Sequence, residues 1–196
     1  FNKYKHLKVH DAILKYDENR IFGEKVPLKT YSNGFKWIDV GRRSEVVGKY
    51  MKNCGSVGVM SLDKDKTMLA LFNSDNKPHV IVTLSPNEKR ISGVEGIACT
   101  VVKDEYIDYV IDLENIIDAK IDLIRIKSVL LKIKTILKNK LKSIKRIKAN
   151  TFNEYFVFQL ISGDIYFTDG EMVISYVDVK KATQRRNSVD FKPTNV

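Results

Sequence analysis

The 196-residue chain holds 34 basic against 24 acidic residues, a formal net charge of +10, and 43% of it is hydrophobic. That apolar content is enough for one sizeable core, or a core with an appended module, and it excludes a long disordered or low-complexity chain. Two cysteines, Cys54 and Cys99, exclude a disulfide framework and show no CxxC spacing, and no apolar run approaches the roughly 18 residues of a membrane span.

Residues 1 to 25 mix Tyr4, Leu7, Val9, Ile13 and Leu14 with basic residues and suit one short helix, closed by Gly23 and Pro27. His6 and His10 would share a face of it. With no Glu or Cys beside them in a metalloprotease arrangement, no metal site is expected there. The Asn33-Gly34 step reads as a turn because it accepts positive φ cheaply, and residues 35 to 40 alternate as a strand. Ser44 is placed to cap a helix through Tyr50 to about Lys52, ended by Asn53-Cys54-Gly55. Thr67–Phe72 and His79–Leu84 are β-branched-rich runs on either side of a cluster of turn formers, which predicts a β-hairpin. Arg90–Gly93 should begin a third strand of the same sheet. Both faces of the middle strand are apolar, so helices should cover one side and part of the other. From Glu105 the period turns helical, with Tyr106, Tyr109, Val110 and Leu113 on one face and Asp104 as a candidate cap.

Charge then becomes concentrated. Between Lys120 and Lys148 eleven basic side chains face a single acid, Asp122, so the rest of the chain is balanced. Ile121, Ile124, Leu130, Ile133, Leu137, Leu141 and Ile144 recur at steps of three, four and six, and no Gly or Pro occurs from Asp112 to Lys148. These features predict a long amphipathic helix over 112–150 with a cationic outer face, about 55 Å from 112 to 148. So long a helix would have to project or pair with another subunit. The residues expected to contact an anion are Lys127, Lys132, Lys134, Lys138, Lys140, Lys142, Lys145, Arg146 and Lys148. Lysines at such spacing follow a polyanion and release its counterions. Nine Lys to two Arg favours point-charge attraction over bidentate reading of bases. The competing reading is a solvated face on an assembly helix. A membrane-surface helix is disfavoured because the apolar stripe has no Trp or Phe.

After Asn150 the pattern alternates. Residues 155–161, 165–167 and 172–179, separated by Ser-Gly-Asp164 and Thr-Asp-Gly-Glu171, predict a β-meander packed on the rest. The fold class expected is α+β: a small antiparallel sheet with helices over 1–111, the cationic helix over 112–150, the meander over 151–180, and a tail over 181–196.

The segment Glu45-Val-Val-Gly-Lys-Tyr-Met51-Lys-Asn-Cys-Gly55, followed by Ser61-Leu62, the strand at 67–72, Lys77-Pro-His-Val80 and the block from Ile91 to Gly96, resembles the PcfJ-like family of phage and mobile-element proteins. The resemblance spans about residues 31–113. Asp63 stands where such proteins often have Arg, and Val94-Glu-Gly-Ile-Ala-Cys99 lacks the Asn of their usual Gly-x-Gly-Asn turn. It implies a phage or plasmid setting, in host cytoplasm or virion, and no defined activity. No signal-peptide h-region is seen at the N-terminus.

The function expected is that of a non-enzymatic virion-associated or structural protein whose cationic helix contacts nucleic acid or an acidic protein surface, without a cofactor. Two alternatives stand beside it. One is a thiol enzyme using Cys54 with His79 as base, the minimum for forming a thiolate; the expected position of Cys54 at a helix C-terminus opposes that charge. The other is a homo-oligomerisation element, or one that packs on other virion proteins.

Overall fold

A computed structural model describes residues 8–52, 64–148, 154–171 and 173–175. The fold is α+β, and the chain divides into two compact units, residues 1–132 and 133–196. Among the described residues no helix is long and apolar enough to cross a membrane.

Unit 1 is built on a six-stranded sheet: β1 (Lys29–Thr30), β2 (Lys36–Gly41), β3 (Thr67–Phe72), β4 (Pro78–Ser85), β5 (Arg90–Glu95) and β6 (Lys120–Ile121), adjacent in that order. All neighbours are antiparallel except β5 and β6, which run parallel. Gly34, at φ +84°, turns β1 into β2 while its N–H donates to the Tyr31 carbonyl at 3.0 Å. A Cβ at Gly34 would sit 3.0 Å from Ser74 Cβ, so a side chain there would be crowded as well as strained in φ.

Strand alternation sorts the core into two layers. Ile38, Val40, Met68, Ala70, Phe72 and Ile81 point to one face, where they cluster with Leu14 and Ile21 from the N-terminal helical segment and with Val46, Val47 and Met51. That segment is α1 (Val9–Asn19) running into a π-helical turn over Arg20–Glu24; the other three residues belong to α2 (Glu45–Tyr50) and its C-terminal cap. Ser44 caps α2, its Oγ accepting from Val47 N–H at 3.1 Å. Trp37, Leu69, Leu71, Val80 and Val82 point to the other face, and all are buried. There Trp37 Nε1 donates to the Tyr109 carbonyl at 3.3 Å, which ties α3 (Ile107–Ile116) to the sheet. Helices thus serve both faces, more fully than the sequence pattern implied.

The long helix over 112–150 does not form. α3 ends at Ile116; Asp118 takes the left-handed conformation and Ala119 N–H donates to the Glu114 carbonyl at 3.2 Å, a Schellman-type stop. Lys120 and Ile121 then join the sheet beside Arg90 and Ile91. Asp122 Oδ1 accepts from Ile124 N–H at 3.2 Å, a local turn that leaves Ile124 93% exposed instead of on an apolar stripe. A new helix, α4 (Val129–Leu137), starts where Ser128 Oγ accepts from Leu131 N–H, and it contains the boundary between the units. Lys138, at φ 40°, opens a 3-10 turn through Lys140. From Leu141 the chain is a strand. One contribution is visible in the sequence: as one helix, Lys134, Lys138, Lys142 and Arg146 would stack at successive i, i+4 positions, each like-charge pair costing about 0.2–0.5 kcal/mol.

Unit 2 carries a four-stranded antiparallel sheet of β7 (Leu141–Lys148), β8 (Glu154–Leu160), β9 (Ile165–Thr168) and β10 (Val173–Ser175), adjacent in chain order with β7 at one edge. Most of the strand expected over 172–179, and the tail over 181–196, lie outside the described residues.

Candidate cationic interface

Seven cations and no acid occupy Ile133 to Lys148. Three kinds of backbone carry them. Lys134 sits in α4, Lys138 and Lys140 in the turn, and Lys142, Lys145, Arg146 and Lys148 in β7. A register shift between Leu141 and Ser143 places Lys142 in a bulge, and beyond it Lys145 stands opposite Val157 and Arg146 opposite Phe156. The Arg146 guanidinium lies 5.3 Å from the centre of the Phe156 ring, a cation–π contact that fixes its side chain on one face of the sheet. Lys145, one residue earlier, therefore projects from the other face. Lys140, Lys142 and Lys145 are exposed and meet no carboxylate among the described residues.

The other residues of the expected set are set apart. Lys127 lies exposed in the segment before α4, and Lys132 is half-buried in the part of α4 that belongs to unit 1. Of the nearby basic residues, Arg125 is held by Asp122 at 3.5 Å, and Arg90 approaches the same carboxylate at 3.5 Å from β5. Asp122, the one acid of the stretch, is therefore used inside unit 1.

Cys54 and His6 lie outside the described residues, and His10 is exposed on α1. His79, on β4, sits among rings: Phe35 at 5.7 Å and Tyr106 at 5.1 Å between centroids. Its Nδ1 lies 3.0 Å from the Tyr106 hydroxyl, and its Nε2 is buried without a hydrogen-bond partner among the described residues. Burial holds the imidazole below its ordinary pKa, Lys103 and Lys77 adding to the effect and Glu105 opposing it. Burial and the Glu105 carboxylate push the Tyr106 phenol up to about 12. This is a neutral aromatic cluster, held together by ring contacts and one polar contact. Beside it Asp112 accepts from Lys29 Nζ at 2.5 Å and from the Tyr31 hydroxyl at 2.6 Å. Burial alone would raise the Asp112 carboxyl; those two hydrogen bonds and the lysine charge outweigh it and lower it, while burial and Asp112 together raise the Tyr31 phenol.

One group of residues escaped the sequence pattern. Tyr155 and Ile174, 37% and 44% exposed, lie on the same face of the unit 2 sheet as Lys145. Their strands were legible, but which face they share depends on β7 being a strand. No family model, no curated protein and no solved structure matches the chain.

Proposed function

We propose that residues 134–148 form a nucleic-acid contact that works through phosphate charge, in a protein whose role is binding rather than catalysis. The observation that carries this is the uncompensated set Lys140, Lys142 and Lys145: exposed, within a few residues of one another, and without carboxylate partners among the described residues. Ammonium groups so placed displace counterions from a polyanion, which gives affinity with little dependence on base sequence and strong dependence on salt. The phage or mobile-element setting implied by the resemblance over residues 31–113 is one in which such a contact has an obvious use.

The test is fluorescence anisotropy of the full chain with a random-sequence duplex over a salt series. Affinity should fall steeply with salt. The triple variant K140Q/K142Q/K145Q should flatten the log–log slope by about 2 to 3, close to one per lost phosphate contact. A flat response of the unaltered chain to salt overturns the proposal.

A second reading has its own observation. β7 is an edge strand, and lysines on an edge prevent strand-to-strand association between copies. Under that reading the same triple variant associates at rising concentration in sedimentation and has no nucleic-acid affinity to lose.

A further inference from the structure

The unit 2 sheet has two unlike faces. Alternation and register put Phe156, Phe158 and Thr168 on one face, all buried, and there the Phe158 and Tyr166 rings stack at 5.4 Å with planes 19° apart. The opposite face carries a continuous row across all four strands: Lys145 of β7 opposite Val157 of β8, Val157 opposite Phe167 of β9, and Phe167 opposite Ile174 of β10. Ile147 and Tyr155 form the adjoining pair on that face. Tyr155 is 37% and Ile174 44% exposed, Val157, Phe167 and Ile147 are half-buried, and Lys145 is exposed. With strands about 4.8 Å apart, this apolar strip is about 14 Å wide and ends at the cationic edge strand.

An apolar strip with an aromatic ring, with Lys145 at its edge and Lys142 and Lys140 just before it in the chain, matches a ligand with both flat apolar surfaces and repeated negative charge. Duplex nucleic acid offers only the second, because its bases are stacked on one another. A single strand offers both: its bases can lie on side chains while its phosphates follow the cations. An acidic peptide would meet the lysines but leave the ring and the strip without a counterpart.

We infer that the Lys145-bearing face of the unit 2 sheet binds single-stranded nucleic acid in preference to duplex, with bases on the exposed Tyr155 and its neighbours and phosphates along the β7 edge at Lys145 and the preceding Lys140 and Lys142. This rests on the charge-based contact proposed above and names the form of nucleic acid it takes.

The experiment uses the full chain and labelled mixed-sequence oligonucleotides of about 12 nucleotides, as single-stranded DNA, single-stranded RNA and duplex, at one salt concentration. The single strands should bind at least about tenfold more tightly than the duplex. Tyr155→Ala should weaken single-strand binding by about tenfold and leave duplex binding unchanged, since a stacked base is lost and no charge is. Tyr155→Phe should retain the affinity, and Tyr155→Leu, which keeps apolar bulk without a ring, should lose it. The Phe and Leu variants separate stacking from any damage to the sheet. Equal affinity for single strand and duplex overturns the inference, as does a Tyr155→Ala effect equal on both. Polyglutamate competing as well as the oligonucleotide also overturns it, in favour of an acidic protein partner. If duplex binds with a steep salt slope in those cases, the charge-based contact survives; if neither form binds, both fall together.

Discussion

The two units use charge in opposite ways. Unit 1 has 22 basic and 18 acidic residues, and unit 2 has twelve and six. In unit 1 Arg20 pairs with Asp17, Lys29 with Asp112, and Asp122 is shared by Arg90 and Arg125. In unit 2 the exposed Lys140, Lys142 and Lys145 meet no carboxylate among the described residues. Several charges of the first unit are taken up by its own architecture, whereas Lys140, Lys142 and Lys145 of the second stand exposed without a carboxylate among the described residues. The number of basic residues is thus a poor guide to function until one asks which of them the fold already neutralises.

The sharpest test of this contrast lies in unit 1. Asp17 is 5% exposed; its Oδ1 accepts from Arg20 Nε at 3.0 Å and its Oδ2 from Ser44 Oγ at 2.8 Å and Val46 N–H at 3.0 Å. The Arg20 guanidinium goes on to donate to the Val40 and Arg43 carbonyls at 3.0 and 3.2 Å, so a single carboxylate joins α1, β2 and the start of α2. Asp17→Ala leaves a partly buried guanidinium and two donors without an acceptor, and should cost about 3 kcal/mol in urea unfolding. A loss no larger than that of K140Q/K142Q/K145Q would erase the distinction between the units.

A smaller effect is expected from His79. Its pKa in the folded chain is below the ordinary value of 6.5, so the unfolded chain takes up a proton at higher pH than the folded one does. The resulting stability is complete above about pH 6.5 and is lost as pH falls through the folded pKa. Replacing His79 with Phe should flatten the unfolding free energy between about pH 7 and pH 5. An unchanged slope would show that other groups govern that window.

The smallest effect should come from Lys89 and Asp118, a fully exposed pair at 2.5 Å in which each charge favours the other. Solvent and salt screen such a pair, and Asp118→Asn should leave the melting temperature within experimental error. A clear drop would mean that surface charge in unit 1 contributes more than geometry implies.

Much of unit 1 was legible in the sequence because its signals are local. The hairpin expected at 67–72 and 79–84 appears as β3 and β4, Ser44 caps its helix, and the helical period after Glu105 becomes α3. The basic segment misled because Ile144 and Ile147 lie three residues apart, a spacing that fits a helix face yet puts them on opposite sides of a strand. What decided between the two was non-local: Ile144 pairs with Phe158 and Ile147 with Tyr155, aromatic partners supplied only by the next strand. The breaks at Asp118, Asp122 and Ser128 occur without any Gly or Pro to mark them. For the site, the identity of the cations could be read directly, whereas their distribution over helix, turn and edge strand could not.

In both sheets every strand lies beside its neighbour in sequence, and neither sheet borrows a strand from the other unit. A ribosome extruding this polypeptide would therefore deliver all the material for the first sheet before it translates the codons for Lys134 to Lys148. Domains generally fold as units with the N-terminal one first. Asp17 and Asp122 have their arginine partners within unit 1, so those pairs need nothing from the lysines synthesised afterwards.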